Sequence, residues 1–135
     1  MTLHELSQLY YLNREIANDR RRLAMLRDKA YAASSPNLSG MPSGSGSGDR
    51  VGKYAAEIAE LEALIEIKLE RCMCEQIKLE RYIADIPDSL TRQIFTYRFI
   101  DKLSWTQVAR RVGGDNTADS VKKNCYRYLE KIGEK

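Results

Sequence analysis

The chain has 135 residues, near the size of one domain, 43% hydrophobic and 30% charged, with a formal net charge of +3. No run of about eighteen apolar residues offers a membrane span, and the opening MTLHELSQLYYLNREI lacks the basic start, apolar block and cleavage site of a signal peptide. A cytoplasmic protein with no membrane partner is expected, and the odd count of three cysteines fits reduced thiols rather than a disulfide framework.

In chain order, Leu9, Leu12, Ile16, Asp19, Leu23, Leu26 and Ala30 recur at alternating steps of three and four, which predicts one amphipathic helix over about residues 3–33 with a coiled-coil seam. Asp19 is the only polar residue in that seam. The basic run Arg20-Arg21-Arg22, with Arg27 and Lys29, is interleaved with Glu15, Asp19 and Asp28 and reads as a solvated helix face.

Residues 34–49, SSPNLSGMPSGSGSGD, have the composition of a flexible linker, and no GK[ST] follows to suggest a phosphate loop. Its root-mean-square span is roughly 22 Å, more than a tight hairpin requires, so the first helix can pair within the chain or with a neighbouring subunit. A second long helix is predicted over about residues 50–85, where Val51, Ile58, Ile65, Cys72, Leu79 and Ile86 stand seven apart. Lys68 and Glu75 interrupt the alternate seam row. Cys72 and Cys74 form CMC, but His4 and Cys125 are the only other soft ligands and lie far off in sequence, so packing is the expected role of Cys72 and no metal or other cofactor is expected.

Two helices of this length cannot enclose a core as a pair. Residues 1–85 are therefore read as an oligomerisation region forming a homo-oligomer, with a dimer favoured, and residues 86–135 as a separate domain. Pro87 ends the long helix and Asp88 caps the next. Three short helices follow: Ser89 to Ile100, Trp105 to Val112, and Ala118 to Ile132. The middle one is bounded by a capping box of Ser104 and Gln107 and by Gly113-Gly114. Trp105, Val108, Ala109 and Val112 form one face of it, and Val121, Cys125, Tyr128, Leu129 and Ile132 one stripe of the third helix. Two short amphipathic helices joined by a glycine turn describe a helix-turn-helix, with Ile94, Phe95, Tyr97, Phe99 and Leu103 closing a tri-helical core. The expected fold class is all-α: a long N-terminal helical hairpin or coiled coil followed by a C-terminal tri-helical helix-turn-helix. With its own caps and three-sided core, the C-terminal domain is expected to fold without the N-terminal helices.

Ile86-Pro87, Ile94 to Tyr97, Ser104-Trp105, Val108-Ala109, Val112-Gly113 and Ser120-Val121-Lys122 resemble region 4 of sigma-70 family factors. The whole chain, with SSPNLSG and SGSGDRVG between two long helices, resembles a family of short phage and prophage proteins of Gram-positive bacteria, grouped with phage late-transcription regulators. The segment GGDNT is about two residues longer than the sigma pattern has between the same apolar positions. The resemblance implies a DNA-binding regulator in a bacterial cell that recognises a promoter element, with host RNA polymerase as a further partner.

Charge points the same way: residues 90–135 hold ten Lys/Arg against five Asp/Glu, while the rest of the chain is slightly acidic. If the third helix starts near Thr117, its free face offers Thr117, Asp119, Ser120, Lys122, Lys123, Tyr126 and Arg127 to double-stranded DNA. With one histidine and no nucleophile–base pairing or carboxylate dyad in a pocket, an enzyme is not expected. Two readings compete with the regulator: a DNA-packaging component resembling a phage small terminase subunit, and a coiled-coil interaction protein with a degenerate helix-turn-helix.

Overall fold

The computed structural model describes residues 1–34 and 46–133. Among them every regular element is helical, so the all-α class stands. The helices are α1 (Leu3–Leu6), α2 (Gln8–Ser34), α3 (Gly46–Ala84), α4 (Ser89–Phe95) continued by a π-helical segment (Thr96–Ile100), α5 (Trp105–Val112) and α6 (Ala118–Lys131).

Local chemistry explains where these helices start and bend. Thr2 and Glu5 form a capping box, each side chain accepting the other's backbone N–H at 3.2 Å. The single N-terminal helix expected from the seam is interrupted at Ser7, whose hydroxyl donates to the Leu3 carbonyl at 2.9 Å, a back-bond that competes with the helix ladder and bends it. Helix α3 begins at Gly46 rather than near Arg50, with Asp49 in its first turn where the dipole favours a carboxylate. Ser34 and residues 46–49 are thus helical, and residues 35–45 of the expected linker lie outside the described residues. Helix α4 is shorter than the expected Ser89 to Ile100. The Thr96 hydroxyl donates to the Arg92 carbonyl at 2.8 Å, and the Asp101 N–H reaches the Thr96 carbonyl five residues back at 3.0 Å, the π-helical pattern. Lys102, at φ 59, then turns the chain toward α5.

The chain forms two compact units: Met1–Asn13 with Arg71–Lys135, and Arg14–Glu70. This differs from the division expected between residues 85 and 86. In the first unit a single buried cluster joins Ile86, Ile94, Phe95, Phe99, Val108, Ala109, Val121, Cys125 and Leu129 to Leu6, Leu9, Leu79 and Ile83. The three C-terminal helices leave an apolar side that α1, the start of α2 and the end of α3 cover, because three helices of this length have too little surface to close a core themselves. Residues 86–135 therefore lack part of the core they were expected to own. Phe95 sits at the middle of this cluster, fully buried, with ring centroids 5.4 Å from Phe99, 5.5 Å from Tyr128 and 6.4 Å from Tyr82. Burial pushes the Tyr82 hydroxyl up to about 12 and the Cys125 thiol up to about 12.

In the second unit α2 pairs with α3 of the same chain. Arg27 meets Glu62 at 2.9 Å, and Lys68 meets Asp19 at 2.6 Å and Glu15 at 4.0 Å. Residue numbers rise along one helix as they fall along the other, so the pairing is antiparallel. Two of the three charged residues that interrupt the predicted seams face each other: Asp19 is 6% exposed and Lys68 supplies its counter-charge. Among the described residues Ile16, Leu23, Leu61 and Ile65 are the buried apolar residues of this unit.

Candidate nucleic-acid interface

The candidate interface is built on α5, the turn after it, and α6. Helix α5 starts at the predicted cap: the Ser104 N–H donates to Gln107 Oε1 at 2.9 Å and the Gln107 N–H to Ser104 Oγ at 3.3 Å. It stops at Gly113 and Gly114, whose φ of 78° and 66° are costly for residues with a Cβ. Asn116 then donates through Nδ2 to the Gly113 carbonyl at 2.9 Å, closing the turn.

Helix α6 starts at Ala118, with Thr117 as its N-cap. The Ser120 N–H donates to Thr117 Oγ1 at 3.1 Å and the Thr117 N–H to Ser120 Oγ at 2.9 Å. Ser120 Oγ also lies 3.0 Å from the Thr117 carbonyl, where its one proton is used. Both hydroxyl oxygens thus accept backbone N–H groups at the cap, so Thr117 and Ser120 shape the helix end. Val121, Cys125 and Leu129 are buried, and this inward face fixes the opposite one outward. Asp119, Lys122, Lys123, Tyr126 and Arg127 are all exposed, as the period of the helix predicts.

These five are not equivalent. Lys123 pairs with Asp119 at 3.2 Å one turn back, an exposed pair worth little by itself. Lys122 Nζ stands 5.8 Å from the Tyr126 ring centroid, the Tyr126 ring meets Trp105 edge to face at 6.3 Å, and the Arg98 guanidinium lies 4.5 Å over Trp105. Arg98 also donates to the Leu103 carbonyl at 2.9 Å. A ladder of two aromatic rings with a cation at each end therefore ties the π-helical segment, α5 and the outer face of α6 together. Trp105, half-buried against the core, has the packing role expected of it, and Tyr126 serves the same ladder.

Arg127 borders a shallow groove of about 320 Å³ with Lys131 on the α6 side and Asp88 and Thr91 on the α4 side. Thr91 holds the Asp88 carboxylate through its hydroxyl at 2.8 Å and its N–H at 3.0 Å, which keeps Asp88 below its ordinary range. Arg92 braces the same corner by donating to the carbonyls of Ile86 at 2.7 Å and Pro87 at 3.0 Å.

Reasoning from the sequence missed Arg98 as a positioning residue and missed Arg110 and Arg111, exposed in the last turn of α5. The adjacent arginines before the glycine pair were a visible signal, since cations favour a helix C-terminus and this end adjoins the turn. Nothing in the spacing from Arg98 to Trp105 announces their stacking.

Among the described residues no group of three metal-ligating side chains converges, and no helix is long and apolar enough to cross a membrane. None of Cys72, Cys74 and Cys125 is in a disulfide, and Cys72 packs against the buried cluster. Comparison with family models, with curated proteins and with solved structures finds no match to this chain.

Proposed function

We propose that the chain is a DNA-binding transcriptional regulator of phage or prophage origin that places α6 in the major groove and sets α5 across the phosphate backbone. The observation that carries this reading is the division of α6 into two faces. One is wholly buried; the other bears Lys122, Lys123 and Arg127, with Lys131 beyond them, at the end of a glycine-turned helix pair. Lys122, oriented by the Tyr126 ring, has the reach to bond guanine edges, and Lys123 can exchange Asp119 for phosphate. Arg110, Arg111, Arg127 and Lys131 suit backbone contacts. Thr117 and Ser120 hold the N-terminus of α6, whose free N–H groups and positive dipole favour a phosphate.

In this reading the protein has no catalytic activity and no cofactor. It acts in the cytoplasm of a bacterial host and self-associates through its long helices, so that two helix-turn-helix units engage one DNA site. Host RNA polymerase is its second candidate partner, as in the sigma factors whose region 4 the C-terminal residues resemble.

Selection of bound duplexes from a random DNA pool tests the reading. Enrichment of one sequence, or of two half-sites at a fixed spacing, is expected. A pool that stays unselected, with no binding at low salt, would contradict it and leave an interaction protein with a degenerate helix-turn-helix. Rings of eight or more copies by light scattering would favour the packaging component.

A further inference from the structure

The Arg14–Glu70 unit has an open groove of about 570 Å³ between α2 and α3. Its floor is apolar, including Met25 at 59% and Leu64 at 41% exposure, and Ile67 on the same side of α3 is 55% exposed. Its two rims carry opposite charge: Arg22 and Lys29 along α2, Glu57 and Glu60 along α3. A long apolar strip flanked by one basic and one acidic rim is complementary to itself, and few surfaces other than a second copy would match both rims at once.

We propose that this groove is the homodimer interface, and that the dimer's two-fold axis runs parallel to the helices. The rims select that axis. Rotation about an axis lying in the interface across the helices would set α2 on α2, basic rim against basic rim. Rotation about an axis along the groove sets α2 of each copy over α3 of the other, basic against acidic on both sides. It also keeps each residue at its own height. Since Arg27 meets Glu62 within the hairpin at 2.9 Å, Lys29 is level with Glu60, and the same level is kept between copies; Arg22, level with Ile67 and about 10 Å along the rim from Glu60, adds to the basic field without a level acidic partner on that rim. The product is a four-helix bundle in which Met25 and Leu64 of both copies lose their exposure, a second apolar layer that a lone two-helix pair lacks. The inference deepens the self-association in the reading above and is independent of whether α6 binds DNA.

Two charge-reversed full-length chains test it: Arg22→Glu with Lys29→Glu, and Glu57→Lys with Glu60→Lys. Mass is measured by light scattering, and helicity by circular dichroism. The wild type is expected at twice the 15.5 kDa chain mass. Each variant alone should fall to monomer mass, and an equimolar mixture should return to dimer mass as a heterodimer, with the recovery weakened at about 1 M salt. A monomeric wild type overturns this interface and the self-association of the regulator together. Variants that stay dimeric alone overturn this face and leave self-association through another surface standing. Variants that become monomeric and do not recover on mixing also overturn it, because damage to the hairpin itself is not repaired by a complementary partner.

Discussion

The two units of this chain are built from the same long helices yet solve burial differently. The Met1–Asn13 and Arg71–Lys135 unit buries a cluster of thirteen apolar residues with an aromatic group around Phe95 and no charged member. Among its described residues the Arg14–Glu70 unit buries four apolar residues and sets an ion pair, Asp19 with Lys68, in its seam. Short helices from several directions can enclose a core, whereas two rods side by side have only a line of contact. A line is also where one buried charge does most to specify register, since a slip along the rods would strand it. The first unit thus draws stability from packing, and the second draws specificity from a polar pair and leaves apolar surface open.

The largest test of this contrast is remote in sequence from the helix-turn-helix. Leu6 is fully buried and Leu9 is 2% exposed, so Leu6→Ala with Leu9→Ala should cost about 4–8 kcal/mol, taking roughly 2–4 for each deleted side chain. Denaturant unfolding followed at the Trp105 fluorescence reads it. If the Trp105 transition does not move, the C-terminal helices close their own core and the two units are not as described.

A smaller effect is expected in the other unit, and it should depend on how the change is made. Lys68→Ala leaves the buried Asp19 carboxylate to Arg22, 3.8 Å away and largely exposed, and should cost about 1–3 kcal/mol. Replacing both members, Asp19→Leu with Lys68→Leu, should be near neutral or stabilising but loosen the register. A double variant as destabilised as the single one would mean that the pair supplies stability rather than specificity.

The smallest effect is a pH dependence confined to the first unit. Burial raises the Cys125 thiol from 9.0 to about 12 and the Tyr82 hydroxyl from 10.0 to about 12. The folded state therefore prefers both groups protonated. That preference contributes fully below about pH 9 and is lost as pH rises toward 12. Stability should decline over that window, and Cys125→Ala should decline less steeply than the wild type in alkaline denaturation. The thiols should differ accordingly: exposed Cys74 reacts with a thiol reagent in the native state, and buried Cys125 only after unfolding.

Much of this was legible in the sequence because it is local. Helical period marked the long helices and the inward faces of α5 and α6, and Ser104, Gln107 and Gly113 fixed the ends of α5. Thr2 followed by Glu5 was an equally readable capping box. What period does not carry is which apolar stripe meets which. Leu9 and Leu79 read as coiled-coil seam, and only the folded chain shows them joined, with Leu6 and Ile83, to Phe95 and Val108 in one cluster. Asp19 and Lys68 each stood out as a seam defect, and their opposite signs were the available clue that they pair. The ladder from Arg98 through Trp105 and Tyr126 to Lys122 spans separate helices, so no spacing rule reaches it.

The outer face of α6 carries the proposed DNA contact, and the salt dependence of DNA binding measures that face most directly. Fluorescence anisotropy of a labelled duplex, titrated with the full chain at several salt concentrations, should give log-affinity falling linearly with log salt. Lys122→Ala with Lys123→Ala should keep the helical circular dichroism, bind more weakly at every salt concentration, and show a slope shallower by up to about two. Unchanged affinity and slope in a folded variant would contradict the assignment of this face.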